Sequence, residues 1–247
     1  MSNPFNYDPS LYNQQSANEV LPLLFSLYQP SSIIDVGCGL GSWLNVAAKL
    51  GVKDIFGIDA SDYNSGSFHI QESAYRQMDL ETPIHLDRSF DTCICLEVGE
   101  HLHESASDNL VHSLCNLAPV VLFSAAVPAQ PGQNHINCQW PEYWQKKFAQ
   151  NGYDAYDILR AKFWDNQLVE WWYRQNMVLY AKPGVLKNGA YVSDTIPGLI
   201  HPELYQLKLD TIQELQTIKE HTVFNPSLPF ALRSLAKAVL VTPWKKK

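Results

Sequence analysis

Ser32-Ile33-Ile34-Asp35-Val36-Gly37-Cys38-Gly39-Leu40-Gly41-Ser42 is the stretch whose reading decides the fold. Ile33 to Val36 is a short apolar run of the kind that forms a buried parallel strand. Three glycines at alternate positions follow at once. Trp43 to Leu50 then reads as a helix, and Gly51 stands where a C-terminal cap belongs. Strand, glycine turn and helix form the opening unit of a nucleotide-binding α/β sheet, where glycine lets backbone approach a ligand and adopt positive φ. A dinucleotide fingerprint wants glycine at the first, third and sixth positions. Here Gly37 and Gly39 fit, the sixth position is Ser42, and the third glycine is Gly41. The alternative is a glycine turn that joins a strand to a helix and holds nothing.

Working outward, Asn18 to Tyr28 has apolar Val20, Leu21, Leu24 and Leu27 at helical spacing, and Pro30 ends the pattern. Asp54 to Asp59 reads as the second parallel strand. An acid at its end, about 20 residues beyond the glycine turn, can accept hydrogen bonds from both hydroxyls of a ribose; it can equally cap the next turn, with Ser61 and Asp62 nearby. Ser89 to Glu97 reads as the fourth strand, Asp108 to Leu117 as a helix, and Pro119 to Ala126 as the fifth strand. This alternation implies right-handed crossovers and a parallel sheet, with ligands at the carboxyl ends of the strands. Asp35, Gly37, Asp59, Asp79, Glu97 and the loop after Ala126 all fall on that one rim.

The loop 127–140 is rich in Pro, Gly, Gln and Asn and contains His135-Ile136-Asn137-Cys138-Gln139-Trp140. Pro141 suits the first turn of a helix running from Glu142 to Asn151. Tyr153 to Leu159 and Asn176 to Ala181 read as the last two strands. Between them Trp164 and Trp171-Trp172-Tyr173 alternate with polar groups, a density that suits either a pocket wall or a core cover.

The chain has 247 residues, enough for one domain with appendages and a substantial core. A formal charge of −7 disfavours a general nucleic-acid binder, which needs a basic face. The five cysteines include no CxxC pair, which fits a reduced, cytoplasmic protein. Residues 1–10 carry no signal region, and the longest apolar stretch is too short for a bilayer, which takes roughly 20 residues.

Taken together, Asp-Val-Gly-Cys-Gly-Leu-Gly (35–41), Gly-Ile-Asp (57–59), Asp-Leu (79–80), Leu-Glu-Val-Gly-Glu-His-Leu (96–102) and His-Ile-Asn-Cys-Gln-Trp-Pro (135–141) resemble the class I S-adenosylmethionine (SAM)-dependent methyltransferases. More narrowly, they resemble bacterial members found beside polysaccharide and small-molecule biosynthesis genes. The resemblance covers residues 10–182. It implies a Rossmann-like, seven-stranded, mostly parallel sheet with helices on both faces and an antiparallel last strand. It also implies SAM as cofactor, bound by Asp35, Gly37, Gly39, Gly41, Asp59, Asp79, Leu80 and Glu97, with Asp79 and Leu80 facing the adenine. The acceptor would be a small molecule or glycan, methylated at a hydroxyl. Asn137, Gln139, Trp140 and Trp172 are candidate substrate contacts.

Methyl transfer is an in-line displacement, so alignment supplies much of the acceleration and a base near neutral pKa suits a hydroxyl acceptor. His135 and His101, both at strand-end loops, are the candidate bases. Glu97-x-x-Glu100-His101 also resembles the metal site of small-RNA 2′-O-methyltransferases and ubiquinone-pathway O-methyltransferases. Glu97, Glu100, His101 and His135 would then ligate a divalent ion such as magnesium, although all-oxygen sites are commoner for that ion. In the metal-free alternative Glu97 holds the amino-acid end of the cofactor and Glu100 and His101 merely open the next helix. An N-methyltransferase, a catalytically silent SAM-binding subunit and a nicotinamide-dependent oxidoreductase are the rival functions; Ser42 and the Asp79 and Glu97 motifs disfavour the last.

Lys182-Pro183-Gly184 marks an expected boundary between a methyltransferase domain, residues 1–182 with an N-terminal lid segment, and a helical extension, residues 183–247. Pro202 to His221 reads as a helix with Tyr205, Leu209, Ile212, Leu215 and Ile218 on one stripe, fit for core packing or a homodimer. Pro229 to Val241 is amphipathic and precedes Trp244-Lys245-Lys246-Lys247, a solvated or packed tail rather than a membrane contact.

Overall fold

The computed structural model describes residues 13–64, 67–187 and 190–224. In chain order the elements are α1 (Gln15–Leu27), β1 (Ser32–Val36), α2 (Ser42–Lys49), β2 (Asp54–Asp59), β3 (Tyr75–Gln77), β4 (Thr92–Leu96), α3 (Ser107–Leu117) and β5 (Val120–Ser124). They continue with α4 (Pro141–Gln150), β6 (Asp154–Tyr156), α5 (Ile158–Phe163), α6 (Trp171–Asn176), β7 (Val178–Ala181) and α7 (Pro202–Phe224). All seven strands join one sheet in the order β3-β2-β1-β4-β5-β7-β6. The first five are parallel, and β7 runs antiparallel to both β5 and β6. The Rossmann-like, mostly parallel sheet expected above is the one observed.

The strands read as unbroken apolar runs because both faces are covered. Successive side chains point to opposite faces of a strand. Ile34, Val36, Cys93, Cys95, Val121 and Phe123 pack with Leu110, Val111 and Leu114 of α3 and Trp144 and Phe148 of α4. Ile33, Ile94, Leu96, Val120 and Leu122 pack on the other side with Val20, Leu21 and Leu24 of α1 and Leu44 and Val46 of α2. At about 1.5–3 kcal/mol per fully buried large aliphatic side chain, these two layers are the main driving force for the sheet.

Two expected strands end differently. Tyr153 to Leu159 is a strand only over Asp154–Tyr156, after which α5 begins at Ile158. The buried guanidinium of Arg160 reaches back to both carboxylate oxygens of Asp157, an i, i+3 pair that closes a helical turn. Asn176 likewise belongs to the end of α6, and β7 starts at Val178.

One compact unit runs through His201, and a second begins at Pro202. The first therefore continues past the Lys182-Pro183-Gly184 boundary read from the sequence. The Ser193 N–H donates to the Ala155 carbonyl (2.8 Å), and Ile196 is buried in the same layer as Phe148. In the second unit α7 presents Tyr205, Leu209, Ile212 and Leu215 as exposed side chains. The N-terminal segment 1–12 and the stretch Pro229 to Lys247 lie outside the described residues. No described helix is long and apolar enough to cross a membrane.

Candidate functional site

The strand ends converge on a cleft of about 610 Å³. Since β1 lies between β2 and β4, the groups at its rim run in a row: Asp59, then Gly37, then Glu97. Asp79, Leu80, Glu100, His101, Gln130 and His135 also line it, and Trp171, Trp172 and Tyr173 of α6 form an aromatic wall.

Gly37 is the cradle. Its φ is 80°, and a Cβ placed there would lie 2.3 Å from Cγ2 of Val98. The Gly37 and Cys38 N–H groups both donate to the Ile58 carbonyl, which binds the turn to β2. Gly39 and Gly41 also have positive φ but shape the turn from outside the cleft lining. Asp59 accepts the Gly39 N–H at one oxygen and the Ser61 N–H at the other, each at 2.9 Å. A carboxylate has about four lone-pair sites and can accept from more than two donors. Asp35 is buried behind this turn; burial, and then the Asp59 charge, push its carboxyl well above the usual carboxylate range. Asp79 accepts the Glu81 N–H and keeps its place on the rim beside Leu80.

Glu97 sits at φ 55°, a left-handed conformation rare for a residue with a side chain. Its N–H is held by the Ser124 carbonyl and hydroxyl, and its carboxylate accepts Gln130 Nε2 (3.0 Å) and Asn176 Nδ2 (3.2 Å). Burial pushes the Glu97 carboxyl up, while bonds from Ser124, Asn176 and Gln130 pull it back. Glu100 is fully buried, and neither carboxylate oxygen has a hydrogen-bond partner of normal geometry among the described residues. Burial, followed by the neighbouring Glu97 charge, raises its carboxyl well above the ordinary value.

His135 faces Glu100, with Nε2 4.0 Å from Oε1. Its Nδ1 lies 3.1 Å from the Gln130 carbonyl, which can only accept, so Nδ1 carries the proton and Nε2 presents its lone pair. The ring fits because residue 132 is glycine: a Cβ there would come within 2.0 Å of Nε2. His101 lies at 5.0 Å between ring centroids. Burial, and then the nearby His135, lower the His101 imidazole to about 4, and burial also lowers His135. Ligand atoms of Glu100, His101 and His135 all lie within 4.8 Å of one another. Glu97, expected as a fourth ligand, is outside that cluster.

The three residues expected to touch substrate from the 135–140 loop are not in the cleft lining. Asn137 is buried, donates to the Gly99 carbonyl and Ser107 hydroxyl, and accepts from Gln139. Both brace the short helical turn Gly99–His101 from behind. Trp140 is exposed and lies against Gly198. Trp172 does line the cleft. Sequence reasoning passed over Gln130, Gln175 and Asn176, because buried amides follow no spacing rule.

A family model described as a methyltransferase domain matches residues 11–178. No curated protein matches the chain. Among solved structures, the sugar N-methyltransferase KedS8 from Streptoalloteichus sp ATCC 53650 is similar at 12% identity and TM-score 0.57, over 74% of this chain and 95% of that one. Streptomyces venezuelae DesVI is similar at 13% identity and TM-score 0.53, over 72% and 100%. Magnesium protoporphyrin IX methyltransferase (ChlM) from Synechocystis PCC 6803, with bound SAH, is similar at 21% identity and TM-score 0.50, over 74% and 90%. The matched residues include β1 to β6, the first residue of β7 and every cleft-lining group, and the chain belongs to the methyltransferase domain family, with the fold of the class I SAM-dependent methyltransferases.

Proposed function

We propose that the chain transfers a methyl group from SAM to a hydroxyl of a small-molecule or glycan acceptor. The observation that carries this reading is the row Asp59, Gly37, Glu97 along one cleft, with His135 and Glu100 beside it. Asp59 accepts the ribose hydroxyls, Asp79 and Leu80 meet the adenine, and the chain of the cofactor passes Gly37, where a Cβ would collide with Val98. Glu97 faces its amino-acid end. The cofactor supplies the electrophilic methyl group. The acceptor lies against Trp172, and Nε2 of His135, already the basic nitrogen of its tautomer, accepts the hydroxyl proton.

A second reading adds a divalent cation. Glu100, His101 and His135 fit one, because Glu100 is a fully buried carboxylate without a well-formed partner and the Nδ1–H of His135 is already anchored on a carbonyl. Such an ion would polarise the acceptor hydroxyl and lower its pKa. The methyltransferase domain then corresponds to the unit ending at His201, and we place it in the cytoplasm, where its five free cysteines stay reduced.

The test is titration calorimetry with SAM, followed by methyl-transfer assays on fractionated acceptor extracts. Micromolar SAM binding that Asp59→Ala weakens at least tenfold supports the cofactor site. Turnover that His135→Ala lowers by about 10²–10⁴ supports the base. Binding of NAD without SAM sinks the reading in favour of an oxidoreductase, and SAM binding with no turnover favours a silent subunit. Turnover that survives EDTA unchanged removes the cation.

A further inference from the structure

We infer that Gln130, Gln175 and Asn176 are positioning residues, a one-way chain of amide hydrogen bonds that fixes the Glu97 carboxylate for the amino-acid end of the cofactor. This rests on the cofactor reading proposed above.

All three amides are buried: Gln130 is 6%, Gln175 0% and Asn176 4% exposed. Burying an amide without partners is costly, so three together need a complete network. They have one. The His201 N–H donates to Oε1 of Gln175 at 2.8 Å. Gln175 Nε2 donates to Gln130 Oε1 (3.1 Å) and to Asn176 Oδ1 (3.0 Å). Asn176 Nδ2 donates to Gln130 Oε1 (3.0 Å) and to Glu97, and Gln130 Nε2 donates to Glu97.

The direction of the chain is set at both ends. A backbone N–H can only donate, so the oxygen of Gln175 must face His201 and its NH₂ must face inward. An ionised carboxylate can only accept, so the NH₂ groups of Gln130 and Asn176 must face Glu97. No amide in the chain can turn over without setting acceptor against acceptor or donor against donor. The carboxylate is therefore held in one orientation on the cleft lining, in spite of the left-handed backbone at Glu97. Gln130 lines the cleft, whereas Gln175 does not and reaches Glu97 only through its two neighbours.

Gln175→Glu is the informative variant. It keeps the shape and the oxygen for His201, but it replaces the inward NH₂ by an oxygen facing the oxygens of Gln130 and Asn176. Binding is measured by calorimetry with two ligands, S-adenosylhomocysteine and 5′-methylthioadenosine, which share the adenosine and differ in the amino-acid end. Hydrogen bonds to charged groups contribute about 1.5–3 kcal/mol, so a misaligned Glu97 should weaken S-adenosylhomocysteine roughly tenfold or more. Binding of 5′-methylthioadenosine should stay within about twofold on the same reasoning, because Asp59 and Asp79 are untouched. Equal weakening of both ligands, or no change in either, overturns the inference and leaves the network a folding clip. If Gln175→Glu does not fold, Gln175→Met, which removes the polarity and keeps the length, is held to the same two-ligand comparison. Wild-type protein that binds neither ligand overturns the cofactor reading, and the inference with it.

Discussion

Replacing Gly37 by alanine tests the cradle directly. Two costs combine at this position. The first is conformational: φ is 80°, and holding a side-chain-bearing residue in such a region costs about 1–3 kcal/mol. The second is steric: the new Cβ would sit 2.3 Å from Val98 Cγ2, with Cβ and Cγ1 of the same valine both at 3.4 Å. Valine is stiff at χ1, so rotation gives little relief, and overpacking of this kind costs about 1–3 kcal/mol. For a domain of this size each kcal/mol lowers Tm by about 2–4 °C, so Gly37→Ala should lower it by at least about 4 °C. The two costs separate in a double-mutant cycle followed by urea denaturation. In a Val98→Ala background the clash is gone and only the conformational cost remains, giving a coupling of about 1 kcal/mol or more. An unchanged Tm in the single variant, or a cycle additive to within about 0.5 kcal/mol, would refute the reasoning.

Two further changes follow from buried groups elsewhere. Tyr180 stacks on Phe148 at 3.8 Å between centroids, yet its hydroxyl is buried with no hydrogen-bond partner among the described residues. Tyr180→Phe keeps the stack and removes the orphan, so chemical denaturation should show a gain of about 1 kcal/mol; a loss of that size would mean the hydroxyl is paired. Asp35 has a folded pKa raised by burial and by Asp59, above an unfolded value near 3.9. Its contribution to stability is complete below that unfolded value and is lost as pH rises through the raised folded one. Asp35→Asn should therefore melt higher than wild type at pH 8, with the advantage shrinking toward pH 4.5. A difference that stays constant across that range would argue against the buried charge.

How much of this was legible in the sequence depended on the type of signal. The β1 turn, β4, β5 and the helices between them were readable because both-face burial writes continuous apolar runs and glycine is demanded by positive φ at Gly37. Asp59, Asp79 and Glu97 were placed on the rim by strand-end position, where they line the cleft, while the roles given to them came from spacing and family resemblance. The region 157–176 was not readable: Ile158 and Leu159 extend an apolar run, yet the chain turns into a helix there, with Arg160 paired to Asp157 across its first turn. Asn137 and Gln139 looked like site residues because polar side chains in a strand-end loop usually face ligand, yet Asn137 bonds Gly99 and Ser107 behind the loop and Gln139 bonds Asn137. The amides that hold Glu97 come from α6 and from the loop after β5, and their meeting is a property of the folded chain, with no local pattern to announce it.

The antiparallel β7 has a consequence for the protein while it is being made. Val120 to Phe123 of β5 pair with Val178 to Ala181, the last of the described strands to leave the ribosome, and among the described residues β6 pairs only with β7. Until residue 181 has emerged, a nascent chain exposes the Val-Val-Leu-Phe edge of β5 with no strand beside it. Such an apolar edge is a template for pairing with other chains. A transcript truncated anywhere between residues 125 and 177 should thus yield aggregates and a substrate for chaperones, rather than a smaller domain with an empty place at its rim.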